Sequence, residues 1–217
     1  MSKIIFLFTN SFPFGSGEQY INNEFKLLQN YFKEIFVVPI SNFGEKRTSF
    51  EDVNLINLDY ELNISKIKFF SNIFFYTKLL SSYNSPLTLN NFKSIHHAWT
   101  ASDFILDFIK DNEIEPKNVT VYSYWLYHSA LIAGLIKLKN SNVRCISRAH
   151  MGDVYDEIKP TKFLKLKLKN LDRVLTISDH ARDYILKQFP NYSNKVLTSR
   201  LGVEDVGLNP SILENNS

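Results

Sequence analysis

The sequence predicts an α/β protein built on a doubly wound, mainly parallel sheet of about six or seven strands, with helices on both faces. Three observations carry this. Short runs rich in β-branched and aromatic residues alternate with longer stretches of helical period, the pattern of successive βα units. The strand-like runs are apolar throughout rather than alternating, as strands covered on both faces are. Glycine, polar and aromatic punctuation collects directly after those runs, at what would be a single rim.

The elements follow in order. The run Ile4-Ile5-Phe6-Leu7-Phe8 predicts a strand over about 3–9. Its apolar stretch stops after five residues, and Thr9-Asn10-Ser11-Phe12-Pro13 carries no small-residue cleavage pattern, so a buried strand fits better than a secretion signal. Phe25, Leu28 and Phe32 recur three and four apart and predict a helix over about 18–32. A strand follows at 34–40 and a weaker one at 53–58. Helices are expected at 64–82 and 90–112, the latter from Phe104, Ile105, Phe108 and Ile109. Strands at 119–124, 143–149, 172–177 and 195–199 then alternate with helices at 126–139, 161–170 and 179–188. The tail from Glu204 to Ser217, with Pro210 and few apolar groups, reads as a linker.

Composition narrows the class. A chain of 217 residues suits one large α/β domain, and 44% hydrophobic with 22% charged residues is ordinary globular usage. The charge balance, 25 minus 22 or +3, is too mild to argue for nucleic acid, which asks for a concentrated basic footprint. The single cysteine, Cys145, excludes a disulfide framework and multi-cysteine metal sites and points to a reducing compartment. No apolar stretch approaches the roughly 18 residues of a membrane-spanning helix, so a soluble or peripheral protein is expected.

The expected rim carries Thr9 to Gly17, Tyr122-Ser123-Tyr124-Trp125, His150-Met151-Gly152-Asp153, Ser178 and Arg200-Leu201-Gly202. Gly15-Ser16-Gly17 follows the first strand as a dinucleotide fingerprint would, but Tyr20 stands at the third glycine position and no acid ends the second strand, so a nicotinamide cofactor is not expected. There is no Walker lysine-serine pair, no serine nucleophile elbow and no pair of acids to hold magnesium after the first strand. His96 and His97 are adjacent on a helix and point about 100° apart, poor geometry for one metal. His128 and His180 lie near helix starts, where capping or surface roles suffice. His150 leaves a strand at the rim beside Gly152, with Asp153 three residues on. Its position admits a functional role and a satisfied loop histidine equally.

In order along the chain, Phe12-Pro13 through Glu18, Tyr122-Ser123-Tyr124-Trp125, Ser147-Arg148-Ala149-His150-Met151-Gly152-Asp153, Asn170-Leu171-Asp172-Arg173-Val174, Ile177-Ser178 and Ser199-Arg200-Leu201-Gly202-Val203 resemble the amino-terminal half of family 4 retaining glycosyltransferases, of the bacterial capsule and exopolysaccharide type. The resemblance implies a Rossmann-like domain forming one half of a GT-B fold, with 1–203 as the acceptor-binding domain and 204–217 leading toward a carboxyl-terminal, donor-binding domain that these 217 residues lack. It implies a nucleotide-sugar donor as substrate, held mainly by that other domain, with no cofactor and no metal. The chain alone is then expected to be inactive.

Residue by residue, Gly15, Ser16 and Gly17 match the family's glycine loop, whose backbone can approach the donor phosphates. Glu18 matches the acid after that loop, able to bind an acceptor hydroxyl or to favour the helix start. His150 matches a histidine beside the transferred sugar and is the expected catalytic residue, with Asp153 close behind it. Tyr124 and Trp125 offer faces for sugar packing, or pack in the core or rim. Met151 stands where the family often has glycine. Transfer of this type is assigned to front-face attack, the leaving phosphate taking the acceptor proton, so no carboxylate nucleophile is expected.

Charge distribution bears on the acceptor. No acidic residue occurs from Leu62 to Ser102, where Lys66, Lys68, Lys78 and Lys93 punctuate Phe69, Phe70, Phe74, Phe75 and Tyr76. Such a segment can lie in an anionic membrane interface, beside a lipid-linked acceptor at the inner face of a membrane, or its aromatics can form core between helices. Lys159, Lys162, Lys165, Lys167 and Lys169, spaced around Leu164, Leu166 and Leu168, predict a solvated helix face, with a contact to anionic lipid as the alternative. Two functions stand at this point: an acceptor-binding half of a glycosyltransferase, cytoplasmic or peripheral at the inner face of the membrane, acting on surface polysaccharide, or a non-catalytic binding or assembly module that works with a partner protein.

Overall fold

The computed structural model describes residues 3–50, 52–58, 66–155 and 162–202, the side chains of 66–68 excepted. Among the described residues seven strands, β1 (Ile4–Thr9), β2 (Glu34–Pro39), β3 (Asn54–Leu55), β4 (Val119–Ser123), β5 (Arg144–Ala149), β6 (Arg173–Thr176) and β7 (Val196–Thr198), form one sheet in the order β3-β2-β1-β4-β5-β6-β7. Every neighbouring pair is parallel. Seven α-helices among the described residues connect them: α1 (Ile21–Tyr31), α2 (Lys66–Ser71), α3 (Ile73–Ser82), α4 (Leu89–Asp111), α5 (His128–Lys139), α6 (Leu164–Asn170) and α7 (Asp179–Gln188). This is the expected Rossmann-like α/β class, fully parallel.

Strand alternation divides the apolar residues between two cores. Ile5 and Leu7 of β1 pack with Ile21 and Phe25 of α1, together with Ile35, Val37, Tyr122 and Tyr124. Phe6 and Phe8 point the other way, into the larger core built from α3, α4, α5, α6 and α7. Both faces are covered, which is why the runs Ile4–Phe8 of β1 and Ile35–Val38 of β2 are continuously apolar.

The strand order reverses at β1. From there the chain builds outward to β2 and β3, then returns to lay β4 on the other side of β1 and builds outward to β7. The connections leaving β1 and β4 therefore diverge and leave a crevice at their carboxyl ends, where ligands of such sheets bind.

Four local expectations differ from the structure. The helix expected at 64–82 divides at Asn72, whose ψ of 1° leaves the helical range, and α3 starts afresh with Tyr76 N donating to Asn72 O. The strand expected at 53–58 keeps two ladder residues, although Ile56 N still donates to Val37 O. α1 starts three residues later than expected, because Glu18 adopts a left-handed conformation (φ 57°) and turns its side chain back onto the loop. The lysine-rich segment is not uniformly solvated: Lys167 is 2% exposed. There α6 packs against α5, with Gly134 facing Leu166 and the Lys167 backbone, and the Lys167 ammonium turns inward to Leu126 O. Lys159 and the 204–217 linker lie outside the described residues.

Candidate functional site

The loop after β1 is organised by Glu18. Its buried carboxylate accepts from Asn10 N (3.0 Å), Ser11 N (2.7 Å) and Phe12 N (2.8 Å), and from Trp125 Nε1. Both carboxylate oxygens are thus engaged within the fold. The Gly15 amide donates to Glu45 O and the Phe14 amide to Ser11 O. Arg47 closes the loop from outside, with Nε on Gly15 O (2.7 Å), a second guanidinium nitrogen on Gly17 O, and a third on Asn22 Oδ1. Gly15 needs its freedom for a φ of +63°, and Gly44, with φ +99°, must lack a Cβ because one there would lie 2.9 Å from Gly15 Cα. Ser16 and Gly17 remain exposed at the tip and border a cleft of about 610 Å³ with Asn10, Ser41 and Phe43.

Across the crevice, the ends of β4 and β5 place four rings together. The His150 ring centroid lies 4.3 Å from that of Trp125, 5.2 Å from Tyr124 and 5.7 Å from Tyr20, and Tyr20 stacks on Tyr124 at 5.9 Å. Tyr20 is the outermost, 39% exposed, while His150 is 6% exposed and Tyr124 fully buried. Neither ring nitrogen of His150 and not the Tyr124 hydroxyl has a hydrogen-bond partner among the described residues. Burial, reinforced by Arg148 and opposed by Glu18, lowers the His150 pKa to about 4, so the imidazole is neutral at pH 7.

Asp153 locks this arrangement from beneath. Its Oδ2 accepts from Leu126 N (2.6 Å) and its Oδ1 from His150 N, tying the loop after β4 to the turn after β5. Burial raises its pKa to about 7 against those two hydrogen bonds. Lys167 reaches in from α6, with Nζ 2.6 Å from Leu126 O, its pKa lowered to about 7 by burial and opposed by Asp153. A second cleft, of about 370 Å³, opens beside it between Asn10, Tyr127, His128 and Lys162.

The structure therefore brings Glu18, Tyr124, Trp125, His150 and Asp153 into one crevice wall, with Gly15, Ser16 and Gly17 on the adjoining loop. Ser178 instead caps α7, accepting from Ala181 N (3.1 Å). Tyr124 is covered by Tyr20 and presents no open face; Tyr20 and the partly buried Trp125 hold the outer position. Sequence reasoning missed Tyr20, Arg47 and Lys167 as parts of this region. Tyr20 carried a signal, since an aromatic ring stands where a phosphate loop has glycine. Arg47 carried none, lying 30 residues from the carbonyl it holds. Among the described residues, no group of three or more metal-ligating side chains converges, and no helix is long and apolar enough to cross a membrane.

Fold and rim define an α/β domain of the doubly wound kind with an aromatic, polar crevice at its switch point. Among solved structures the chain is similar to a UDP-N-acetylglucosamine 2-epimerase from Rickettsia bellii (12% identity, 93% of this chain and 45% of that one, TM-score 0.48). It is also similar to a protein of Listeria monocytogenes described as a UDP-N-acetylglucosamine 2-epimerase (12% identity, 99% and 52%, TM-score 0.50). The chain spans about half the length of these neighbours, and at this identity the likeness is one of fold. No protein-family model and no curated protein matches the sequence.

Proposed function

We propose that this chain is the acceptor-binding, amino-terminal half of a retaining glycosyltransferase that moves a sugar from a nucleotide-sugar donor to a growing, lipid-linked surface polysaccharide. The observation that carries this reading is the trio of unpartnered polar atoms on His150 and Tyr124, buried under Tyr20 at the switch point. Leaving buried polar groups unpaired is costly, and a ligand able both to donate and to accept relieves the cost. A neutral imidazole offers one acceptor and one N–H, and a phenol does both, which suits sugar hydroxyls better than an anion. Tyr20 and Trp125 supply ring faces for the C–H side of a pyranose.

Glu18 and Asp153 already have both carboxylate oxygens bonded within the fold, which favours a mechanism without a carboxylate nucleophile. In this reading the nucleotide is held by a second domain and the leaving phosphate takes the acceptor proton. His150 donates a hydrogen bond to the transferred sugar that strengthens as charge develops. A nucleotide sugar is also the substrate class named for the structural neighbours, so UDP-N-acetylglucosamine belongs in the test.

The experiment is a titration of the 217-residue chain with neutral oligosaccharides and with UDP- and GDP-sugars, followed through the His150 ring signals by NMR and through heat by calorimetry. The expected result is a perturbed His150 ring with millimolar saccharide and no micromolar nucleotide-sugar binding. Micromolar nucleotide-sugar binding would overturn the division of labour, and a silent His150 would remove it from the site.

A further inference from the structure

The acid-free stretch between Leu62 and Ser102 separates into two faces. Phe69, Tyr76, Leu79 and Leu80 turn inward and join the large core, with Tyr76 Oη 2.9 Å from His96 Nδ1 of α4. The outer face is different. Phe70 is 63% and Phe74 82% exposed, and Ile73 and Phe75 beside them are each more than a third exposed. Packing between helices accounts for the inner aromatics and for Phe75, whose ring lies 4.6 Å from that of Trp99. Phe70 meets Phe69 only edge-on at 5.5 Å, and most of the Phe70 and Phe74 rings stays open to solvent. Grouped apolar exposure of this kind marks an interaction surface rather than ordinary scatter.

The charges around it select the occupant. Lys78 is exposed one turn beyond Phe74 on α3 and Lys93 is exposed on α4, no carboxylate lies between Leu62 and Ser102 in the sequence, and Asp103, which acts on Tyr76, is paired with Lys139 at 2.6 Å. A second copy of the chain would bring the same lysines against each other, which disfavours self-pairing. Exposed phenyl rings flanked by ammonium groups match a bilayer of anionic lipid, where the rings enter the headgroup region and the lysines pair with phosphates. We propose that the outer face of α2 and α3 docks the chain on an anionic lipid surface, with Phe70 and Phe74 entering it and Lys78 holding headgroup phosphate. No residue of the switch-point crevice takes part, so this surface stands or falls independently of the sugar reading.

The test is co-sedimentation of the 217-residue chain with phosphatidylcholine vesicles that either contain or lack phosphatidylglycerol. Binding is expected only with the anionic lipid and should weaken as added salt shortens the Debye length. Phe70→Ser/Phe74→Ser should lower the partition coefficient at least about tenfold, the scale of losing buried aromatic area, and Lys78→Glu should lower it severalfold. Both variants change exposed side chains and should keep the wild-type circular dichroism; if the double serine variant unfolds, Lys78→Glu alone decides. Equal binding to both vesicle types, wild-type binding by the folded variants, or a wild-type dimer that Phe70→Ser/Phe74→Ser converts to monomer without any vesicle binding would each overturn the proposal.

Discussion

Glu18 uses its whole carboxylate inside the loop it closes: three consecutive amides and the Trp125 indole all point at it. Charge-assisted bonds of this sort are about twice as strong as neutral ones, and their donors are left buried when the acceptor goes. Glu18→Ala should therefore destabilise the fold by about 2–4 kcal/mol, read by urea unfolding with Trp125 fluorescence as reporter; a loss below about 0.5 kcal/mol would mean that water replaces the carboxylate. His150 contributes differently, through protons. Folded, it stays neutral down to about pH 4, whereas the unfolded imidazole titrates near 6.5. A depressed folded value gives stability that is present above pH 6.5 and lost as pH falls toward 4, because the unfolded chain binds the extra proton. His128, also lowered to about 4, acts in the same sense, and Asp153, raised to about 7, acts in the opposite one. The contribution of His150 is isolated by difference. Unfolding free energy between about pH 6 and 4.5 should have a slope shallower by about 1.1 kcal/mol per pH unit in His150→Gln. Parallel curves for the two proteins would show that His150 titrates like an exposed histidine.

Between elements, the tie that matters most for the crevice runs from α1 to β5 and on to the end of β7. Arg148, 5% exposed, pairs with Glu24 at 2.8 Å, donates through Nε to Tyr122 Oη (2.7 Å) and reaches Ser199 O (2.8 Å), while Tyr122 Oη donates to Glu24 Oε1 (2.6 Å). Removing one partner strands the other in a low-dielectric site, so Glu24→Gln should cost about 3 kcal/mol, and Arg148→Met/Glu24→Leu should recover much of it. A double-mutant cycle with coupling near zero would show that the pair is solvated in solution. The same scale explains what sequence pattern could and could not reveal. The strands were legible because a sheet covered on both faces favours unbroken apolar runs, as in Ile4 to Phe8 and Ile35 to Val38. The Lys-Leu alternation over 162–169 was misleading: on a helix it cannot place every lysine outward, and where α6 packs on α5 Leu166, Lys167 and Leu168 are all buried. The break at Asn72 had no strong local signal, since asparagine interrupts a helix only mildly.

On the scale of the whole molecule, the reversal of strand order at β1 makes three loops meet: β1 to α1, β4 to α5, and the turn after β5. That meeting place was legible, because rim residues follow strands in sequence, and His150, Trp125 and Glu18 do lie together. Their mutual relations were not, since they depend on the left-handed turn at Glu18 that swings Tyr20 over the ends of β4 and β5. From this follows a coupling between loops more than 100 residues apart in sequence. Burial is the largest cause of the lowered His150 pKa, and Tyr20 is the outermost of the rings that cover it. Tyr20→Ala should admit water to the imidazole and to the Tyr124 hydroxyl, giving the unpartnered atoms hydrogen bonds and removing most of the desolvation that opposes charge. The His150 pKa should then rise from about 4 toward 6.5, while the nearby Arg148 guanidinium continues to hold it somewhat below the ordinary value. An NMR pH titration of the His150 ring in both proteins measures this directly. A value that stays near 4 in Tyr20→Ala would mean that Trp125 and Tyr124 alone exclude water, and that Tyr20 is not the residue a ligand must displace to reach the crevice floor.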